Sequence, residues 1–289
     1  RDLHLSLRRL RQMCIRDRSK INPNDMSFLD HLEDLRWHIL RSIVAILIVG
    51  MGAFIFKDFI FDNIIFGPKD INFPTYRVLC NISNIIGLND SFCITEMPFR
   101  IQSRTVSGQF SAHIWTSIAA GFVVSFPYVL YQFWSFISPG LYMNERKYAR
   151  GFIFISSLLF FIGVLFGYYV ICPLSVNFLG NYSVSTEVFN DFDLNSYIGL
   201  VRASVLASGL IFELPLIIYF LTKIGLVNPE ILRKYRKFAL VGVLILAAII
   251  TPPDVASQII VAIPIVILYQ ICLLYTSDAA DEGLGVDLG

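Results

Sequence analysis

The residues of this chain best placed to do chemistry are carboxylates in apolar company. One cluster, H-L-E-D-L-R at His31–Arg36, holds Glu33 and Asp34 just ahead of the first apolar run. A second acid, Glu145, stands beside Arg146 and Lys147 near the end of an aromatic, proline-broken connector from Gln132 to Lys147. A third, Glu213, lies near the middle of an otherwise uncharged run from Ala203 to Leu221. Two acids on one face of a membrane can receive a cationic peptide. A guanidinium offers them a planar fork that accepts bidentate pairing, which an ammonium does not. A carboxyl inside a membrane span is costly when charged, so Glu213 must face protein, be protonated, or both. Pro215 frees the carbonyl of Ile211 and so opens a kink beside it.

Each acid also has a purely structural use. Asp30, Glu33 and Asp34 fit a solvated helix start in which Glu33 pairs with Arg36, and Ser27 with Asp30 resembles a capping box. Asn144 can cap the following helix, with Glu145 favouring the dipole of its first turn. A neutral Glu213 can bridge two helices. Asp254, in T-P-P-D-V-A-S-Q, reads as a turn residue.

The elements that must position these acids follow from composition. Of 289 residues, 55% are hydrophobic and only 16% charged, with 25 phenylalanines, which points to the membrane class once uninterrupted apolar runs are found. Six runs qualify, over about 39–56, 113–134, 151–171, 197–221, 238–250 and 259–274. The fifth and sixth are short against the roughly 20 residues that a crossing helix needs. They either thin the bilayer, stay partly buried against the other four, or continue into the headgroups through flanking residues. The segment from Lys57 to Ala112 carries Pro68, Pro74 and Pro98 and has helical pieces too short to span.

Lys and Arg crowd the connectors after the second run (Arg146, Lys147, Arg150) and the fourth (Lys223, Arg233, Lys234, Arg236, Lys237). The connectors after the third and fifth runs have none, so the basic side is cytoplasmic and both chain ends lie there. The fold class expected is an all-α integral membrane protein of six transmembrane helices, the last two short. Asp34 and Glu145 then share the cytoplasmic face.

The chain divides into a non-native or disordered segment over 1–25, a single membrane domain over 26–274, and a non-native tail over 275–289. No cleavable signal peptide is expected, because the first run ends in Lys57-Asp58 without a small-residue cleavage site. Cys80 and Cys93 fall in the first outer loop. A bridge between them would close a loop worth about 3 kcal/mol in the entropic account, and two free thiols by mass spectrometry would end that reading. The cysteines form no metal pattern, and His4, His31, His38 and His113 are scattered. Neither a phosphate loop nor a nucleophile triad occurs, so no cofactor, metal, nucleic acid or enzymatic activity is expected. One transport alternative stays open at this point: a proton-coupled secondary transporter of a small solute that uses Glu213 as a relay. It lacks the internal repeat such folds often show.

Four motifs in order carry a family resemblance: H-L-E-D-L-R at His31, Y-Q-F-W-S-F-I-S-P-G-L-Y-M-N-E-R-K from Tyr131, F-E-L-P at Phe212 and T-P-P-D-V-A-S-Q at Thr251. Together they resemble TatC, the multispanning receptor subunit of the twin-arginine protein translocase, from about Met26 to Gln270. The resemblance implies a cupped six-helix bundle in a bacterial inner membrane. It implies recognition of twin-arginine signal peptides on folded cargo, export driven by the proton-motive force, and the single-span partners TatA and TatB in a homo-oligomeric receptor complex. The signal-binding acids of the family fall on Asp34 and Glu145, with Phe136 and Pro139 in the same recognition loop and Glu33 adjacent. Its membrane glutamate, which meets a polar residue of a partner helix, falls on Glu213. Two departures stand out. Asp34 is one methylene shorter than the family's glutamate, and the last run ends in Tyr269-Gln270 where many relatives have an acid.

Overall fold

Small residues decide which helices of this chain meet. In the computed structural model, residues 28–87, 93, 97–137, 149–185, 187, 188, 190–223, 234–251 and 255–284 are described. Helix α1 (Phe28–Ile55) lies along α3 (Gly108–Ile137). The contact is tight enough that a Cβ on Gly121 would stand 2.5 Å from the Ile46 carbonyl oxygen and 2.8 Å from the Gly50 nitrogen. Helix α4 (Ala149–Phe166) passes through a π-turn at Gly167–Ile171 into α5 (Cys172–Asn181). This long unit packs on α6 (Leu194–Phe212), where a Cβ on Gly163 would meet the Ser208 carbonyl at 2.8 Å and one on Gly167 the Ser204 carbonyl at 2.6 Å. Where lipid replaces water, packing of backbones at this range does what hydrophobic burial does in a soluble core.

The expected break after residue 171 is not where the third apolar helix ends. Pro173 sits in the first turn of α5, and the π-turn just before it takes up the missing hydrogen bond, so the helix continues to Asn181. Among the described residues, four helical stretches are long and apolar enough to cross a membrane: His31–Ile55, Gly108–Ile137, Gly151–Asn181 and Leu194–Thr222. The last of these comprises α6 and α7 (Leu214–Lys223), which join at Glu213. Then come α8 (Arg236–Ile250) and α9 (Val255–Leu284). With 15 residues, α8 is only about 22 Å long. The α8–α9 pair is seated against α6 through Phe212, Val243, Ala247, Val261 and Ile265, all buried, which matches partial burial of a short hairpin. The apolar part of α9 is Ser257–Leu273, and the helix itself extends to Leu284.

Between α1 and α3 the backbone is irregular: a π-turn (Phe59–Ile65), a 3-10 turn (Gly67–Lys69) and α2 (Pro74–Ile86). Tyrosines satisfy the carbonyls this leaves over. Tyr168 donates to Ile64 (2.8 Å), Tyr197 to Ile65 (3.0 Å), and Tyr76 to Pro68 (2.8 Å) and Pro173 (3.1 Å). Burial pushes the Tyr76 phenol up, so it stays a donor. Cys80 and Cys93 are joined as a disulfide, with Cα atoms 4.5 Å apart, tying α2 to the segment that leads into β1. Strand β1 (Arg100–Gln102) pairs in parallel with β2 (Asp191–Asp193), Ile101 opposite Phe192. This small ribbon closes one end of an otherwise helical molecule, and three-residue strands leave no periodicity to read in a sequence.

Candidate functional site

The polar clusters occupy different depths of the bundle. At the end opposite the ribbon, the start of α1 meets the end of α3. His31 stacks on Phe136 with ring centroids 4.4 Å apart, and His38 approaches the same ring edge-on at 6.3 Å. His38 Nδ1 lies 2.6 Å from Gln132 Oε1, and Gln132 Nε2 donates to the Tyr128 hydroxyl at 2.7 Å. Because Gln132 turns its carbonyl oxygen toward the ring, Nδ1 carries the hydrogen there. The other nitrogen, Nε2, faces Asp34 Oδ1 at 3.8 Å, one helical turn away. Gln132 is buried, the His38 side chain is 12% exposed and that of Asp34 is 44% exposed. A partly buried chain of polar groups thus ends in a carboxylate open to solvent.

Asp34 and Phe136 are therefore neighbours through the two histidines, as one site at this end requires. Glu33 is exposed one residue earlier on α1. Glu145 and Pro139 lie outside the described residues, as do Ser27, Asn144 and Asp254; the side chain of Asp30 is likewise outside. By chain order alone, Glu145 falls between Ile137, which ends α3 at the Asp34 end, and Ala149, which begins α4.

Glu213 is placed quite differently. It caps α6, its amide bonding the Leu210 carbonyl at 3.2 Å, and its own carbonyl receives Ile217 at 3.0 Å across the α6–α7 joint. Its side chain is only 6% exposed. The Ser156 hydroxyl of α4 donates to Oε2, while Oε1 is buried with no hydrogen-bond partner among the described residues. The hydroxyls of Ser157, Ser204 and Ser208, along the same α4–α6 seam, are likewise buried without partners among the described residues. A carboxyl here has one fixed donor and one vacant acceptor, so it can take a hydrogen bond from a polar group entering the seam.

What sequence reasoning missed is the chain of Tyr128, Gln132 and His38 behind Asp34. Its one legible trace is the spacing of four between Asp34 and His38, and of four between Tyr128 and Gln132.

Residues 30–264 match the profile of the family described as Sec-independent protein translocase protein (TatC). The chain is 44% identical over 252 residues to the Sec-independent protein translocase protein TatC of Blattabacterium sp. subsp. Periplaneta americana (strain BPLAN), covering 87% of this chain and 95% of that one. It is 35% identical over 244 residues to the protein of the same name from Helicobacter pylori (strain 26695), covering 84% and 85% of the two chains. Among solved structures it resembles a crystal structure of the twin-arginine translocase receptor TatC in DDM, with a TM-score of 0.66, 32% identity, and coverage of 85% of this chain and 99% of that one. The chain belongs to the TatC family and is a multi-pass membrane component of a bacterial Sec-independent protein translocase. That reading displaces the small-solute transporter.

Proposed function

We propose that this TatC-family chain is the receptor that binds twin-arginine signal peptides of folded proteins at the cytoplasmic face of the inner membrane, through Asp34 and Glu145. The observation that carries the reading is the exposed Asp34 carboxylate, backed by His38 and Gln132 and set beside Phe136 at the mouth of the α3–α4 connector. That connector holds Pro139 and Glu145 in the sequence, so both acids belong to one end of the bundle. Each charge-assisted pair with a guanidinium contributes about 1.5–3 kcal/mol, so two pairs supply about 3–6 of the roughly 8 kcal/mol of a micromolar affinity. Glu33 stands ready to share the first arginine, which offsets the shorter reach of Asp34. The apolar stretch of the signal follows the bundle inward toward Glu213, whose vacant oxygen receives a polar side chain of a single-span partner helix of the TatA or TatB kind.

The role is transport, driven by the proton-motive force, and not catalysis. The receptor works as several copies of this chain, and the translocase domain spans 26–274, with 1–25 and 275–289 foreign to it. Both ends of the domain are cytoplasmic, in keeping with the basic connectors. The test is crosslinking of a twin-arginine signal peptide to the purified protein against its twin-lysine version. Discrimination is expected, and Glu145→Ala is expected to abolish it in a protein that stays folded. Equal weak labelling by both peptides would remove the receptor assignment.

A further inference from the structure

Arg202 is the feature of this molecule that the translocase reading leaves unused. It sits in α6, inside the span Leu194–Thr222, six residues from the middle of that span on the side of the ribbon. At a rise of 1.5 Å per residue this is about 9 Å from the centre, hence about 6 Å short of the hydrocarbon edge. Among the described residues Arg202 has neither an ion pair nor a hydrogen bond. A cation at that depth is costly unless its head reaches the interface or meets an anion there.

The surroundings say what carries that charge. Arg202 opens into a groove of about 380 Å³ between α3, α4 and α6, lined otherwise almost wholly by apolar groups such as Ala120, Val124, Leu165 and Val205. In its wall Thr116 is 4% exposed, and its hydroxyl has no hydrogen-bond partner among the described residues. Val124 and Leu165 on its rim are exposed, so the groove opens to the hydrocarbon around the bundle, where acyl chains are the surrounding material. An occupant that both answers Arg202 and fills this groove joins an anion to an apolar tail. We infer that the groove is a phospholipid site, in which Arg202, reaching toward the interface, holds the phosphate of a lipid from the leaflet on the ribbon side while one acyl chain lies between α3 and α6.

The site is at the opposite end of the bundle from Asp34, so its test is independent of peptide recognition. The full chain is placed in bilayer nanodiscs with phosphatidylglycerol bearing a photoactivatable diazirine on an acyl chain, and labelled residues are mapped by mass spectrometry. Labelling of the groove is expected to fall at least about tenfold in Arg202→Gln, equivalent to ~1.4 kcal/mol, and to persist in Arg202→Lys, which keeps the cation. Val124→Trp, a change at an exposed position, is expected to block the groove with Arg202 intact and gives a second reading should Arg202→Gln fold poorly. A diacylglycerol with the same diazirine and no phosphate is expected to label the groove weakly. Undiminished labelling in Arg202→Gln, or equal labelling by diacylglycerol, overturns the phosphate site. So does occupation of the groove by the apolar part of a signal peptide that displaces the lipid label. Twin-arginine peptide capture, read in parallel, is expected to be unchanged in Arg202→Gln.

Discussion

Asp34 and Glu213 carry the same functional group in opposite surroundings. The Asp34 side chain is 44% exposed, rests on the first turns of α1, and has His38 at 3.8 Å as its one ion-pair partner among the described residues. Glu213 is 6% exposed, caps a broken helix, and takes the Ser156 hydroxyl in a seam of glycines and serines. Solvent exposure lets the first acid meet a cation arriving from water, but for the same reason it stabilises the fold very little. The second acid is expensive to bury, so its neighbours must be close and well placed, and any change there is felt by the helices around it. Recognition and stability are thus expected to separate along the length of the molecule.

The largest effect should come from breaking recognition alone. Asp34→Ala is expected to weaken binding of a twin-arginine peptide by about 10–150-fold, the equivalent of 1.5–3 kcal/mol for one charge-assisted pair. The midpoint of thermal unfolding in detergent should not move. Titration calorimetry beside a melting curve checks both halves; an equal loss of stability would show Asp34 to be a structural acid. At the other end of the comparison, Gly163→Leu is expected to destabilise by at least about 1–3 kcal/mol, since a first side-chain carbon there already meets the Ser208 carbonyl at 2.8 Å. Unfolding should shift with it, while peptide affinity of the remaining folded fraction should hold.

Glu213→Gln gives a smaller, sharper contrast. The amide oxygen can still accept from Ser156, so the fold is expected to change by less than about 1 kcal/mol. Peptide capture at the Asp34 end should be untouched. Export in a reconstituted translocase is the readout expected to fall if Glu213 serves the proposed contact with a partner helix. Export at the native rate in Glu213→Gln would assign Glu213 to helix bridging alone.

How much of this was legible in the sequence varies with the range of the interaction. The apolar runs and the lone Glu213 beside Pro215 are local signals, and they mark the four long apolar helices found among the described residues, the break at α6–α7 and the burial of the acid. The third helix runs on past the expected end at residue 171 to Asn181, through a π-turn that accommodates Pro173, and such a turn has no signature of its own in a sequence. The glycine seams were equally hidden: Gly121 and Gly163 look like ordinary membrane glycines until the partner backbone is seen at their Cα atoms. The support behind Asp34 spans 94 residues, from His38 to Gln132, and no local pattern announces such a pair.

That support offers the finest test. His38 is tied to α3 through Gln132 and faces Asp34 with its other nitrogen, so it should limit where the carboxylate points without itself meeting the signal peptide. An exposed pair of this kind is worth only about 0.2–1 kcal/mol, so His38→Leu is expected to weaken peptide binding by no more than about fivefold. The size alone would not separate positioning from a general loosening of α1 against α3. A double-mutant cycle does: if His38 acts through the carboxylate, His38→Leu should have no further effect in the Asp34→Ala background. Gln132→Leu, which frees the histidine from α3 but leaves it beside Asp34, should reproduce the His38→Leu defect and vanish in the same background. Additive losses would mean that the polar chain merely holds two helices together, and that Asp34 finds its arginine unaided.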